Sequence, residues 1–122
     1  MPEAEKIVYI LTHAGDDPER ATFPFTLATA GQSMDIDAVI ALQGTAVFLA
    51  KQGYTKHVAA CGLKPLNELM DTFLELGGRI LVCQPCIKER NIQEQDLVSG
   101  ASITAAAQLN EEILSAQATL VY

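Results

Sequence analysis

Residues 66–90 read LNELMDTFLELGGRILVCQPCIKER and hold the pattern that predicts the fold. Their first half has apolar residues at positions i, i+3, i+4, i+7 and i+8, which is typical of an amphipathic helix, and Gly77-Gly78 end it. Arg79–Cys83 is then nearly continuously apolar, as in a strand covered on both faces. A short helix follows through Arg90. The apolar helix positions are Leu66, Leu69, Met70, Phe73 and Leu74.

The rest of the chain alternates short apolar strands with helical segments. An aspartate before Pro18 is the candidate cap of the first helix, and a later start of its regular part at Pro24 is the alternative. Turn residues and helix caps separate the elements. The predicted elements are a strand at Lys6–Thr12, a turn at His13–Pro18, a helix to about Gly31, a strand at Asp37–Leu42, a short helix at Thr45–Gln52 ended by Gly53, a loop at 54–64, a strand at Val98–Ile103, a helix capped by Thr104, and a last strand at Ala118–Tyr122.

Strands that alternate with helices imply βαβ crossovers, and therefore an α/β fold whose mostly parallel sheet has helices on both faces. We expect a single domain spanning residues 1–122. Ligands and chemistry gather at the carboxyl ends of the strands in such sheets. Three loops are expected at that edge, namely His13–Asp17, Gln43–Thr45 and Cys83–Cys86.

Composition and charge exclude several classes of function. The chain has 122 residues with 8 basic and 15 acidic side chains, so its net charge of −7 disfavours nucleic acid as a partner. The amino terminus lacks a secretory pattern, and the apolar stretches are shorter than the roughly 18 residues that suggest a membrane span. We expect a cytoplasmic protein with reduced thiols, no membrane partner and no cofactor.

Cys83-Gln84-Pro85-Cys86 is the segment with the clearest chemical signal. It joins a strand to a helix, where unpaired backbone N–H groups and the helix dipole favour a thiolate. Lys88 and Arg90 add positive charge nearby. Such a thiolate suits sulfur transfer or thiol exchange. The alternative is that both cysteines are inert structural residues.

Two other uses of a cysteine pair are a thioredoxin-type redox site and a zinc site. A thioredoxin-type site follows an early strand of a βαβ unit, whereas this pair comes about two-thirds of the way along the chain. His57, Cys61, Cys83 and Cys86 together would supply the four ligands of a Cys₃His zinc site. The spacing makes this set unlike structural zinc sites, in which two short-spaced pairs meet on tight turns.

Four further residues are candidates for accessory roles. His13 ends the first strand, where a general base or an anion contact belongs. Gly15 and Gly44 lie in the loops at the same edge, without the pattern of a phosphate-binding loop. Cys61 precedes Gly62 and is a candidate resolving thiol.

Three segments together carry a resemblance to a known family. They are Thr12–Ala21 with Pro24-Phe25 after the opening strand, Leu42-Gln43-Gly44 with Val47, and Ile80–Ile92 around the two cysteines. With them the chain resembles, nearly end to end, the DsrE/DsrF-like family of small sulfur-relay proteins, which includes the TusD-type subunits of bacterial tRNA thiolation. The chain departs from the family at Asn91, where a glycine is common.

The resemblance implies a three-layer α/β/α fold with a five-stranded sheet, in a homo-oligomer or a hetero-oligomer of related subunits. It also implies that Cys83 accepts sulfane sulfur as a persulfide from one carrier protein and hands it to another. Cys86 would then assist, by hydrogen bonding or by releasing the sulfur through a disulfide. A non-catalytic subunit or binding module of the same fold, with structural cysteines, is the alternative function.

Overall fold

The computed structural model describes residues 5–122 and contains one five-stranded sheet. The strands are β1 (Lys6–Leu11), β2 (Asp37–Leu42), β3 (Arg79–Cys83), β4 (Ala101–Thr104) and β5 (Ala118–Val121). Their order across the sheet is β4-β3-β2-β1-β5, and every neighbouring pair is parallel. The predicted α/β class with a five-stranded sheet is confirmed, and all five carboxyl ends lie along one edge.

In the part of the chain that the structure describes, four α-helices and three short 3₁₀ helices connect the strands. The α-helices are α1 (Pro18–Ser33), α2 (Leu66–Glu75), α3 (Gln84–Glu89) and α4 (Ala106–Leu114), and the 3₁₀ helices span Gly44–Ala50, Tyr54–His57 and Glu94–Asp96. No helix within residues 5–122 is long and apolar enough to cross a membrane.

The strands bury both faces, and alternation along each strand divides the side chains between two cores. On one face the strands pack against α1 and α2, where the rings of Phe25 and Phe73 meet edge to face with centroids 5.9 Å apart. On the other face Val39 and Ala41 pack against Leu109 of α4. Because α4 is the one helix among the described residues that contributes to this second core, that face has the thinner cover.

The helix α1 begins earlier than Pro24 predicts. Asp17 caps it, since its Oδ1 accepts a hydrogen bond from the Arg20 N–H at 3.2 Å, and Pro18 occupies the first turn. Pro24 lies inside the helix and costs it one backbone hydrogen bond. Burial of Pro24 together with Phe25 stabilises the continuous helix, so the start after an aspartate cap before Pro18 is confirmed and the later start at Pro24 is not.

The predicted helix at Thr45–Gln52 and the predicted strand at Val98–Ile103 are both wrong in their bounds. The first is a 3₁₀ helix that ends at Ala50, because the Ala50 carbonyl accepts the Val98 N–H and Lys51 pairs with Leu97 in an isolated bridge. Gly53 therefore does not end this helix. The same contacts take residues 97 and 98 away from the sheet, and β4 starts only at Ala101.

Two helix ends also differ from their predicted residues. Thr104 does not cap α4: it is the last residue of β4, paired with Cys83, and Ala105 lies at the cap position. The helix α3 ends at Glu89 rather than Arg90. Asn91 follows it with a φ of 54°, a left-handed conformation that asparagine tolerates and that explains why glycine suits this position.

An ion-pair network at the amino-terminal edge of the sheet fastens α4 to the strands. Glu112 of α4 accepts hydrogen bonds from Lys6 Nζ at 2.7 Å and from Arg79 Nη1 at 2.7 Å, and Arg79 Nη2 also reaches Asp37 at 3.0 Å. Arg79 first, and then Lys6, lower the pKa of Glu112 to about 2, against the opposing effect of burial. One helix carboxylate thus joins the first residues of β1 and β3.

We expect Glu112→Gln to destabilise the protein at neutral pH. A pKa depression of this size is worth a few kcal/mol for a fully buried pair, and solvent screening reduces it here to about 1–2 kcal/mol. Because the folded-state pKa lies below the unfolded one, this stability is complete above the ordinary pKa of Glu112 and disappears as the pH falls toward 2. Urea unfolding at pH 7 and pH 3 measures it.

The matched control is Glu111→Gln, which removes the same charge from an exposed neighbour on α4. It should change the free energy of unfolding little at either pH. Equal losses in the two variants at pH 7 would contradict the structural role of the network.

Candidate functional site

The carboxyl ends of β2, β3 and β4 bring together the residues of the candidate site. Cys83 is the last residue of β3, and its register partner on β4 is Thr104. The helix α3 starts at the very next residue, with Pro85 in its first turn. Because no linker separates strand and helix, Cys83 and Cys86 are held within one turn of each other.

The two cysteine sulfurs are in direct contact. Cys83 Sγ and Cys86 Sγ lie 2.7 Å apart and share a hydrogen bond, and both residues are free cysteines of intermediate exposure. The Gly44 N–H points at Cys86 Sγ from 3.3 Å, and Gly44 has a left-handed φ of 56°. The structure thus brings three of the predicted site residues, Cys83, Cys86 and Gly44, together.

The predicted low-pKa thiolate is not what the surroundings of Cys83 produce. Burial, followed by the hydrogen bond with Cys86, raises the pKa of the Cys83 thiol above its ordinary value. The backbone N–H of Cys86 and the charge of Arg90 act in the opposite direction and are weaker. Arg90 Nη1 lies 3.1 Å from the Cys86 carbonyl oxygen, whereas Lys88 is exposed. The prediction failed because it counted the helix end and omitted the cost of desolvation.

A small apolar pocket of about 110 Å³ opens beside Cys83. Ala41 and Leu42 of β2 line it at the sheet, Leu109 of α4 lines it from the helix, and Cys83 is the cysteine on its wall. The remaining lining residues are Gln43, Pro85, Thr104, Ala105 and Ala106. Cys83, which is half-buried, therefore adjoins an apolar space on the thinly covered face of the sheet.

His13 and Gly15, the candidate accessory residues after β1, make contacts of their own. His13 Nδ1 lies 2.8 Å from Asp16 Oδ2, and hydrogen bonds from His13 and from the Ala14 N–H lower the pKa of Asp16. The Gly15 N–H donates to the Tyr54 hydroxyl at 2.9 Å. In residues 5–122 no hydrogen bond joins His13 to either cysteine, since β2 separates β1 from β3 by about 10 Å.

Cys61 and His57 lie away from the cysteine pair, and the zinc hypothesis is wrong in its geometry. His57 ends a 3₁₀ helix and Cys61 lies in the following turn, both exposed. Within the described part of the chain, no three His, Cys, Asp or Glu side chains are grouped closely enough to hold a metal ion. The next residues, Gly62–Lys64, line a groove against α1 and α2 instead of the cysteine pocket.

Sequence reasoning missed the side of the pocket that β4 and α4 supply. Thr104 is the last residue of β4 and lies beside Cys83. Because parallel strands share one carboxyl edge, a correct end for this strand would have predicted that position. Ala105, Ala106 and Leu109 carry no functional signal in the sequence. Their contribution depends on where α4 crosses the sheet.

Comparison with known proteins agrees with this fold. The model of the DsrE/DsrF-like family matches residues 5–122. An uncharacterized protein of Methanocaldococcus jannaschii, MJ0989, is 32% identical over 98 residues, which is 80% of this chain and 82% of that protein.

Solved structures show the same architecture at lower identity. The ychN protein from E. coli has a TM-score of 0.81 at 21% identity, covering 97% of this chain and 99% of its own. A protein of unknown function from Methanobacterium thermoautotrophicum, MTH1491, has a TM-score of 0.70 at 10% identity, covering 98% of this chain and 100% of its own. At these identities the likeness establishes the fold alone.

We expect Cys86→Ser to move the pH dependence of Cys83 reactivity to lower pH. The substitution removes the thiol hydrogen bond and the coulombic interaction with Cys86, both of which raise the pKa of Cys83. The rate of alkylation by iodoacetamide between pH 6 and about 11, followed in a Cys61→Ser background by mass spectrometry of the Cys83 peptide, measures the midpoint.

A Cys83→Ser/Cys86→Ser variant, which keeps only the exposed Cys61, provides the reference thiol. The Cys83 midpoint should stay above its ordinary value even without Cys86, because burial remains. An unchanged or higher midpoint in the Cys86→Ser protein would contradict the coupling.

Proposed function

The chain belongs to the DsrE/DsrF-like family, and from this membership, which suggests a sulfur-relay role, we propose that it carries sulfane sulfur as a persulfide on Cys83. The protein is then a sulfurtransferase-like carrier that exchanges sulfur with other carrier proteins. Its partners are proteins that bear reactive thiols, and the reaction needs neither a metal nor an organic cofactor.

The observation that carries this proposal is the position of Cys83 between a second thiol and an apolar pocket. Its sulfur contacts Cys86 Sγ at 2.7 Å, and the residue lines a pocket of about 110 Å³. Dissolved thiols and oxidants attack a persulfide readily, and an apolar recess protects it because it keeps these reagents away. Cys86 does not line the pocket, which favours Cys83 as the acceptor.

Loading and transfer are the same exchange run in two directions. The Cys83 thiolate attacks the outer sulfur of a donor persulfide R–S–SH, forming Cys83–S–SH and releasing R–S⁻. An acceptor thiolate R′–S⁻ then attacks the outer sulfur of Cys83–S–SH, giving R′–S–SH and the free Cys83 thiolate. No net oxidation occurs in either step, so the protein returns to its starting state.

We propose that Cys86 assists and also offers a second route of release. Its thiolate attacks the Cys83 sulfur of Cys83–S–SH, forming a Cys83–Cys86 disulfide and expelling HS⁻. The sulfane sulfur is reduced to sulfide while the two cysteines are oxidised, so an external dithiol reductant must regenerate them. The 2.7 Å separation supports this step, since little movement brings the sulfurs to the bond length of about 2.05 Å. A cytoplasmic location would supply such reductants.

We further propose that the protein works as a homo-oligomer or with related subunits. Apolar side chains are exposed around the carboxyl end of α4 and on the edge strand β5. Leu114 is 85% exposed and Val121 is 68% exposed. Exposed apolar side chains on these two elements support association with another subunit.

We expect the reduced protein to gain sulfur from a persulfide or polysulfide donor, and Cys83→Ser to abolish the gain. Intact mass should rise by ~32 Da per sulfur and return to its starting value with a reductant. A Cys61→Ser background removes the exposed thiol, which would otherwise react with the donor.

The matched comparison is Cys86→Ser, which should load as well as the parent and retain its sulfur longer. Its release of hydrosulfide should fall at least several-fold, because the resolving thiol is gone. Loading that survives in Cys83→Ser would contradict the proposed acceptor. Absence of loading in every variant would leave the binding module with structural cysteines as the function.

A further inference from the structure

We infer that the pocket beside Cys83 holds a short polysulfide chain, so that Cys83 carries two or more sulfane sulfur atoms at once. The inference rests on the proposed function and adds a capacity to it. It depends on the size of the pocket, on the chemistry of its walls, and on the helix end at its mouth.

The pocket is larger than one added sulfur requires. Its volume is about 110 Å³, whereas a group the size of a water molecule takes up about 30 Å³. Sulfur is slightly larger than a water oxygen, so the space accommodates about two or three atoms beyond Cys83 Sγ. A site built for a single persulfide would leave most of this volume unused.

The walls of the pocket suit a chain of neutral, polarizable sulfur atoms. Ala41 and Leu109, which belong to the second core, are buried and line the pocket with hydrocarbon side chains, while Leu42 and Gln43 line it at the end of β2. Thr104 is buried as well, and its O–H donates within the protein, since Thr104 Oγ1 lies 3.4 Å from both Gln108 Oε1 and the Ala105 carbonyl oxygen. The pocket therefore offers dispersion contacts, as inner sulfur atoms need, and no fixed charge.

The mouth of the pocket suits the charged end of the chain. The first turn of α4 lies there, with Ala105 and Ala106 lining the pocket. Within the described residues the Ala105 N–H donates to Gln108 Oε1 at 3.0 Å, and no side chain accepts a hydrogen bond from the N–H groups of Ala106 and Ala107. Those N–H groups and the positive end of the helix dipole favour a terminal sulfur anion at this point.

The chain grows by repetition of the loading step. The terminal sulfur of Cys83–S–S⁻ attacks the outer sulfur of another donor persulfide R–S–SH, giving Cys83–S–S–SH and R–S⁻. One S–S bond forms and one breaks, the proton stays on the transferred sulfur, and no oxidant is needed. The number of additions is set by the room that the pocket leaves.

The test is a count of sulfur atoms on a chain that has one thiol. The Cys61→Ser/Cys86→Ser protein keeps only Cys83, so every added ~32 Da belongs to that residue. It is incubated with inorganic polysulfide, and intact mass and cyanide-reactive sulfur are measured on the same sample. Two pocket-filling variants, Ala106→Leu and Ala106→Met, are made in this background. The matched control is Ala107→Leu, also exposed and in the same turn of α4 but off the pocket wall.

We expect the parent and Ala107→Leu to carry two or more sulfur atoms per chain, and both Ala106 variants to stop at one. Cyanide-reactive sulfur should fall at least two-fold in the Ala106 variants relative to Ala107→Leu. The first addition should persist in them, because Cys83 itself is unaltered.

Several results would overturn the inference. If the parent loads only one sulfur, the capacity is absent while the persulfide function stands. If the Ala106 variants match Ala107→Leu, or lose the first sulfur as well, the pocket does not set the chain length. Failure of the parent to load any sulfur would refute the proposed function and this inference together.

Discussion

The parallel run of all five strands is the constraint on which the rest of the structure depends. Because every strand points the same way, the ends of β2, β3 and β4 meet at one edge and their side chains share one space. Register then fixes the neighbours, so that Cys83 lies opposite Thr104. The direct passage of β3 into α3 adds Cys86, and the end of β2 adds the Gly44 N–H. The direction and register of the strands therefore explain why these groups lie close together.

The two edges of the sheet differ in their electrostatics. At the amino-terminal edge, Glu112 joins Lys6 and Arg79 and secures α4 through charge. At the carboxyl-terminal edge the surroundings of Cys83 are apolar, and burial raises the pKa of its thiol. Under the proposed function, the Cys83 thiol must therefore lose its proton before it attacks a donor persulfide.

Most of the fold could be predicted from the sequence, and the reasons lie in local patterns. Alternation and apolar spacing predicted the bounds of β2, α2 and β3 almost to the residue. In these elements the tertiary packing agrees with the secondary structure that the local sequence prefers. The errors fall where distant contacts outweighed local signals. Ala50 and Val98 pair across the fold and shorten both of their elements, and burial keeps Pro24 inside α1.

The candidate site could be predicted only in part. The Cys83–Cys86 pair was visible in the sequence because strand, proline and second cysteine are consecutive there. The pKa of Cys83 could not be predicted, since desolvation depends on elements far along the chain. The same holds for the pocket, because Leu109 and Ala106 reach it only through the crossing of α4.

A crystal structure of the protein after incubation with polysulfide would test the central claim most directly. The account predicts added electron density bonded to Cys83 Sγ and extending into the pocket that Ala41 and Leu109 line. Density on Cys61 alone, or an unmodified Cys83 in crystals whose solution mass shows added sulfur, would contradict it.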